Sequence, residues 1–227
     1  MTESTRPVDA CRRDAARLSS RAQGINDTIE FPGTAWSLSD MLYLVSGASR
    51  SGKTLIAKRV LAEQGIPYLS LDWLMMGFND GLPEYGIHHL LWPNEIAQKM
   101  WPFLQSMIDS MLVDGMDYLI EGEAMLPQLV FDLVEKYPDR VKVVFVGYAE
   151  INVNDKIALV RKHADAKNDW LIGNSDEYIR DHIENMIAYS KMLRTGCEEH
   201  GLHYIDTTED FLGAIEAATD FLVRDLN

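Results

Sequence analysis

The sequence predicts an α/β fold, in which helices cover both faces of a five-stranded parallel sheet. The main evidence is an alternation of short, β-rich apolar runs with longer helical periods, which begins at residue 42 of the 227-residue chain and continues to its end. A glycine-rich pattern directly after the first run is the second observation, and it is typical of doubly wound sheets that bind phosphate. The chain is long enough for one such domain with an additional segment.

The predicted elements follow from the period of the apolar residues. The strands are Leu42–Ser46, Tyr68–Leu71, Tyr118–Ile120, Val141–Val146 and His203–Ile205. The helices are Thr54–Gln64, Asn94–Val113, Gln128–Tyr137, Asp155–His163, Ser175–Glu199 and Thr208–Arg224. Asn174, with Glu177 three residues later, is predicted to cap the longest helix, and Gly201 to end it. Thr207 or Thr208 is the predicted cap of the last helix.

Residues 1–40 carry the weakest pattern of the chain. The stretch Asp9–Gln23 is rich in alanine and arginine, but its apolar stripe is too thin to predict a packed helix. We therefore expect residues 1–40 to form a partly ordered extension and residues 41–227 to form the domain. A functional arm is the alternative for the extension.

Residues 47–54 follow the pattern G-x-x-x-x-G-K-T, which is the pattern of a phosphate-binding loop. Its two glycines permit backbone angles that a side chain would forbid, so successive N–H groups can turn toward a phosphate. Lys53 is expected to reach the β- and γ-phosphates, and the hydroxyl of Thr54 suits a Mg²⁺ site. The predicted nucleotide-binding residues are Gly47, Ala48, Ser49, Arg50, Ser51, Gly52, Lys53 and Thr54.

Acidic residues follow the second and third predicted strands, at the edge of the sheet where ligands bind in such folds. Asp72 is the predicted catalytic base, which would orient an attacking hydroxyl and accept its proton. The alternative for Asp72 is a cap of a short helix, Trp73–Gly77. Glu121 is assigned to the Mg²⁺ site, although aspartate is the more usual residue there. Glu123 would meet the substrate, and a solvated surface acid is the alternative for either glutamate.

A lid-like segment is predicted at about residues 150–175, after the fourth strand. In an enzyme that has to shield ATP from water, a segment at this place closes over the phosphates and delivers a positive charge. Arg161 is the predicted catalytic cation of this segment. The alternative is a basic patch on an exposed helix.

Together, these motifs resemble the small P-loop kinases of the nucleoside-monophosphate-kinase-like group, which includes shikimate kinase, gluconate kinase, chloramphenicol phosphotransferase and zeta toxins. The resemblance covers about residues 41–225, and the phosphate loop is its specific part. It implies a P-loop NTPase three-layer sandwich with the strand order 2-3-1-4-5, and ATP and Mg²⁺ as cofactors. It also implies phosphate and Mg²⁺ roles for Lys53 and Thr54, and the role of the base for Asp72.

The phosphate acceptor is predicted from cations that the sequence lacks. Kinases with a phosphate or carboxylate acceptor usually place arginines after the second strand, yet no arginine lies between Arg59 and Arg140. The interval is rich in acids and aromatics, and residues 73–93 are predicted to form a substrate loop. We expect transfer to a hydroxyl of a small neutral or cationic molecule. The alternatives are a nucleoside-monophosphate kinase and a nucleotide-binding regulatory or toxin-like module with a protein partner.

A formal net charge of −14 argues against nucleic acid or an anionic membrane as the main partner. No apolar run is long enough to cross a bilayer, and the first residues suit neither a signal nor a transit peptide. The two cysteines, Cys11 and Cys197, have no framework or metal-binding spacing, so a reduced, cytoplasmic location is expected. The sequence does not determine the oligomeric state, and a homodimer is compatible with it.

Overall fold

The computed structural model describes residues 41–163, 171 and 173–224. Its strands are β1 (Leu42–Gly47), β2 (Tyr68–Ser70), β3 (Tyr118–Gly122), β4 (Val141–Gly147) and β5 (His203–Asp206). Its helices are α1 (Lys53–Gln64), α2 (Leu71–Gly81), α3 (Pro93–Asp114), α4 (Pro127–Lys136), α5 (Val153–Lys162), α6 (Asp176–His200) and α7 (Phe211–Val223), with a 3₁₀ turn at Pro83–Tyr85.

The five strands form one sheet in the order β2-β3-β1-β4-β5, and every neighbouring pair is parallel. This confirms the α/β class that the residue pattern predicts and the strand order that the resemblance implies. The register pairs Ser46 with Gly122, and it pairs Ser70 with Glu121. The carboxyl ends of β1, β2 and β3 therefore lie side by side, and the segments that leave them meet at one edge of the sheet.

Helices cover both faces of the sheet, because consecutive residues of a strand point to opposite sides. Leu42 and Leu44 of β1 belong to the core formed with α2, α3, α4 and α6. Tyr43 and Val45 belong to the core formed with α1 and α7. All six residues of β1 are buried, which is typical of a central parallel strand that is covered on both sides.

The ends of α6 show one correction to the predicted caps. Ser175 caps this helix, because its hydroxyl accepts a hydrogen bond from the backbone N–H of Tyr178 at 3.2 Å. The prediction of Asn174 is wrong, since its N–H donates to the carbonyl of Leu171 in the preceding turn. Gly201 ends the helix in the left-handed conformation, at φ +64°, as predicted.

The cap of α7 is a second correction. Asp210 accepts a hydrogen bond from the N–H of Gly213 at 2.9 Å and begins the helix. Thr207 is not the cap, because its hydroxyl donates to the carbonyl of Gly147 at the end of β4. Thr208 is not the cap either, since α7 begins three residues later.

The segment predicted as a substrate loop, residues 73–93, begins in the helix α2, which is longer than the Trp73–Gly77 helix considered from the sequence. The lid-like segment contains the helix α5 and the first residues that lead from it. The predicted extension, residues 1–40, lies outside the described residues, as do residues 164–170 and 172 of the lid. Among the described helices, none has the length and apolar character needed to span a membrane.

Candidate active site

The loop between β1 and α1 has the backbone of an anion cradle. Gly47 and Gly52 have φ angles of +152° and +101°, which L-residues with side chains rarely adopt. A Cβ atom at Gly47 would lie 1.9 Å from the carbonyl oxygen of Val146, and one at Gly52 would lie 2.3 Å from a methyl carbon of Ile215. No other residue fits either position. The helix α1 begins at Lys53, so the free N–H groups of its first turn and the positive end of its dipole face the space enclosed by the loop.

Lys53 is held inside this loop. Only 7% of the residue is exposed, and its ammonium donates a hydrogen bond to the carbonyl of Ala48 at 2.9 Å. Ser51 is fully buried in the same loop, and its hydroxyl has no hydrogen-bond partner among the described residues. A buried hydroxyl of this kind is costly unless a ligand satisfies it. The loop therefore offers both a cation and an unsatisfied polar group to an anion.

Two tyrosines fix the backbone around the loop. The hydroxyl of Tyr148 donates to the carbonyl of Ser49 at 2.7 Å, and the hydroxyl of Tyr189 donates to the carbonyl of Glu123 at 2.7 Å. Burial raises the pKa of both phenols, so they remain neutral donors over the whole physiological range. The loop and the segment after β3 are thus held by groups that do not titrate.

Acidic side chains converge on the loop from β3 and α2. Glu121, at the end of β3, is 2% exposed, and Thr54 donates its hydroxyl to this carboxylate at 3.2 Å. Burial raises the pKa of Glu121, while the nearby charge of Lys53 lowers it. Glu123 lies with its Oε1 atom 3.7 Å from the Lys53 ammonium. Asp72, in the first turn of α2, is close enough for its charge to raise the pKa of both glutamates.

The arrangement of Thr54 and Glu121 fits a Mg²⁺ ion. A hydroxyl and a buried carboxylate lie together at the start of α1, where Mg²⁺ would meet the phosphates of a nucleotide. Within residues 41–163, 171 and 173–224, no group of three or more His, Cys, Asp and Glu side chains could hold a metal by itself. An ion at this place would therefore take its remaining ligands from phosphate oxygens and water.

Lys156 is a cation of the site that the sequence reasoning missed. It lies in the first turns of α5, only 6% exposed, and its ammonium donates to the carbonyl of Arg50 in the loop at 3.0 Å. The same ammonium lies 3.7 Å from the centroid of the Tyr148 ring. Burial, together with the positive charge of Arg50, lowers the pKa of Lys156 to about 8. Nothing in the sequence distinguishes Lys156 from a surface lysine of the same helix, so its burial is visible only in the tertiary structure.

Arg161, the predicted catalytic cation, lies five residues further along the same helix. Its guanidinium pairs with Asp176 at the start of α6, and half of its side chain is exposed. Both residues line a cleft of about 460 Å³ between α5 and α6, together with Asn154 and Arg180. The structure thus brings Lys156, and not Arg161, into contact with the loop. A catalytic role of Arg161 stays a prediction.

The segment of residues 73–93, which includes most of α2 and the start of α3, has exposed aromatic side chains. Trp73 is 63% exposed, and Tyr85 is 62% exposed. The ring of Tyr85 packs against the buried Phe78, with 5.9 Å between the ring centroids, and the ring of Trp73 lies 6.2 Å from that of Tyr68. Asn79 accepts a hydrogen bond from the backbone N–H of His89 at 3.4 Å, which ties the non-helical part of the segment to α2. This side of the site therefore exposes both aromatic and acidic side chains.

Comparison with protein-family models finds no match for the chain, and comparison with curated protein sequences finds no significant one. Among solved structures, shikimate kinase from Bacteroides thetaiotaomicron aligns with a TM-score of 0.50 at 15% sequence identity, over 82% of this chain and 98% of that one. A protein from Chloroflexus aurantiacus aligns with a TM-score of 0.50 at 15% sequence identity, over 84% of this chain and 97% of that one. A gluconokinase from Sinorhizobium meliloti aligns with a TM-score of 0.44 at 18% sequence identity, over 82% of this chain and 93% of that one. At these identities the likeness concerns the fold, and the described part of the chain has the fold of a small P-loop kinase of the shikimate kinase type.

Proposed function

We propose that this chain is an ATP- and Mg²⁺-dependent phosphotransferase that moves the γ-phosphate to a hydroxyl of a small neutral or cationic molecule. One observation carries the proposal: the phosphate loop, the Thr54–Glu121 pair and Asp72 converge at the edge of a sheet with the fold of the small P-loop kinases. An anion cradle, a cation site and a carboxylate base are the three parts that phosphoryl transfer requires.

The loop binds the triphosphate in this proposal. Its backbone N–H groups and the α1 dipole bind the β-phosphate, and Lys53 and Lys156 supply positive charge from two sides. Asp72 orients the acceptor hydroxyl and takes its proton as the oxygen attacks the γ-phosphorus. The bond from that phosphorus to the bridging β–γ oxygen breaks, and ADP leaves. Mg²⁺, held by Thr54 and Glu121, would neutralise charge on the phosphate oxygens.

The proposal of a neutral or cationic acceptor is supported by the scarcity of basic residues in the part of the chain that would form the acceptor side. Lys99 and Lys136 are the only lysines or arginines between Arg59 and Arg140. Lys136 is paired with Asp109 at 2.9 Å. An anionic acceptor would therefore meet the carboxylates of Asp72 and Glu123 with little compensation, whereas a neutral or cationic alcohol would not.

The test is phosphoryl transfer from γ-labelled ATP to a panel of alcohols that are cationic, neutral or anionic, with the four common nucleoside monophosphates included. We expect labelled products from cationic or neutral alcohols. The turnover of the variant Lys53→Ala should fall at least about a hundredfold, because the substitution removes a positive charge that stabilises the transferred phosphoryl group. Asp72→Asn should lose a similar factor while its affinity for Mg·ATP stays near that of the wild type.

The control is Lys191→Ala, which removes an exposed lysine on α6 that lies outside the site. It should leave turnover unchanged. Normal turnover by Asp72→Asn would contradict the assignment of the base. Rapid transfer to a nucleoside monophosphate would contradict the acceptor class, and a lack of Mg·ATP binding would contradict the proposed function as a whole.

A further inference from the structure

The side chain of Glu123 contacts two residues of the phosphate loop. Its Oε1 atom lies 3.7 Å from the ammonium of Lys53. The hydroxyl of Ser49 hydrogen-bonds to the same carboxylate. Both partners belong to the loop, so a negatively charged group of the protein already occupies part of the space that the loop offers to an anion. About a quarter of the Glu123 side chain remains exposed.

The backbone on either side of this contact is fixed. The carbonyl of Glu123 is held by the hydroxyl of Tyr189, and the carbonyl of Ser49 is held by the hydroxyl of Tyr148. Rotation of the Glu123 side chain is therefore the movement that can open the contact without disturbing the loop. An exchange of partners at Lys53 needs no rearrangement of the fold.

The contact between Glu123 and Lys53 can be broken by another anion that binds the same ammonium. Burial raises the pKa of Glu123, as does the negative charge of Asp72, while the ammonium of Lys53 lowers it. Glu123 thus depends on Lys53 as its counter-ion. A triphosphate carries more negative charge than one carboxylate, and it would approach the same ammonium. The two anions compete because they cannot both be neutralised by a single lysine.

We propose that Glu123 is an internal anion of the phosphate loop, which a nucleotide phosphate must displace from Lys53 and Ser49. The displacement weakens the binding of every anion, so that anions with few contacts to the loop bind poorly. The assignment rests on the proposed function only in requiring that the loop binds a nucleotide; it does not require phosphoryl transfer.

The test is calorimetric titration of Mg·ATP, and separately of inorganic phosphate, into the wild type, Glu123→Gln and Glu123→Ala at one fixed pH. Removal of the competing charge should tighten Mg·ATP binding about fivefold in both variants, which is the size expected for a partly exposed ion pair. Inorganic phosphate should bind the variants more tightly than it binds the wild type. The matched control is Glu135→Gln, an exposed glutamate of α4, which should bind Mg·ATP like the wild type.

The use of two ligands provides a readout that a merely structural residue would not give. Mg·ATP and inorganic phosphate differ in size and in their contacts, and both should gain affinity when the competing charge of Glu123 is removed. Equal or weaker binding of Mg·ATP by both folded variants, checked by thermal unfolding, would overturn the assignment. Absence of Mg·ATP binding in all proteins would instead overturn the proposed function.

Discussion

The two sides of the candidate site differ in how strongly the fold determines them. On the donor side, Gly47, Ala48, Ser51 and Lys53 of the loop are buried, a side chain at Gly47 would meet the backbone of Val146, and the ammonium of Lys53 donates to the carbonyl of Ala48. On the acceptor side, the segment of residues 73–93 exposes aromatic rings, and the Cβ positions at Gly77 and Gly81 in α2 face open space.

This difference follows from the chemistry that each side would perform. A triphosphate has the same shape in every reaction, and pre-organised donors stabilise charge without a cost of reorganisation. An acceptor has to enter and leave, so its binding surface tolerates exposed side chains and adjusts around them. We therefore expect substitutions on the donor side to have large effects on folding and nucleotide binding, and substitutions on the acceptor side to have small and selective ones.

The largest expected effect is that of Gly47→Ala. The added Cβ would lie 1.9 Å from the carbonyl oxygen of Val146, so β1 or β4 has to shift. The free energy of unfolding should fall by about 2–3 kcal/mol, as for other overpacked sites. Binding of Mg·ATP should fall below detection in calorimetry. Chemical denaturation and titration of the same preparation measure both.

Gly77→Ala is the counterpart on the acceptor side. Gly77 lies inside α2 with open space around its Cβ position, and alanine is the better helix former. The free energy of unfolding should rise by about 0.5–1 kcal/mol. A loss of stability as large as that of Gly47→Ala would contradict the distinction between the two sides.

The predictability of the two sides from sequence differs for the same physical reason. The loop is specified locally, because two glycines, a lysine and a threonine at fixed spacing are enough to indicate it. The strands were also predictable, since runs such as Val141–Val146 are apolar on both faces. The strand order was not contained in the pattern of residues, because periodicity reports burial and not the neighbour of a strand. It came from the resemblance alone.

Two features could not be read from the sequence. The helix α2 contains Gly77 and Gly81, which are poor helix formers, and packing of Leu71 and Phe78 into the core stabilises it despite them. Lys156 looks like any surface lysine of an amphipathic helix, and only the tertiary structure shows that it is buried against the loop. Both depend on contacts between residues that are distant in the chain.

Lys156→Met should have an intermediate effect. It removes a buried cation next to the loop, so the dissociation constant of Mg·ATP should rise about tenfold, as expected for a charge-assisted contact with phosphate. Because the pKa of Lys156 lies at about 8, the wild type should lose affinity as pH rises through 8 and the ammonium loses its proton. Titration calorimetry between pH 7 and pH 9 measures both effects.

Lys156→Arg separates the charge from the size of the side chain. A guanidinium keeps its proton at pH 9, so this variant should not show the loss of affinity above pH 8. Lys191→Met, on the surface of α6, is the control for removing a lysine elsewhere. An unchanged pH profile in Lys156→Met would mean that another group titrates in this range.

The smallest expected effect is that of Trp73→Ala, which tests the acceptor side most directly. Trp73 is 63% exposed and follows Asp72, so its removal should change the free energy of unfolding by less than about 0.5 kcal/mol. If its ring contacts the acceptor, the KM for the best alcohol of the panel should rise about threefold to tenfold, with the affinity for Mg·ATP unchanged. Val113→Ala, at an 84% exposed position at the other end of α3, is the control and should change neither quantity. A parallel loss of Mg·ATP affinity in Trp73→Ala would show that the two sides are coupled, and the division between a rigid donor side and an adaptable acceptor side would then be wrong.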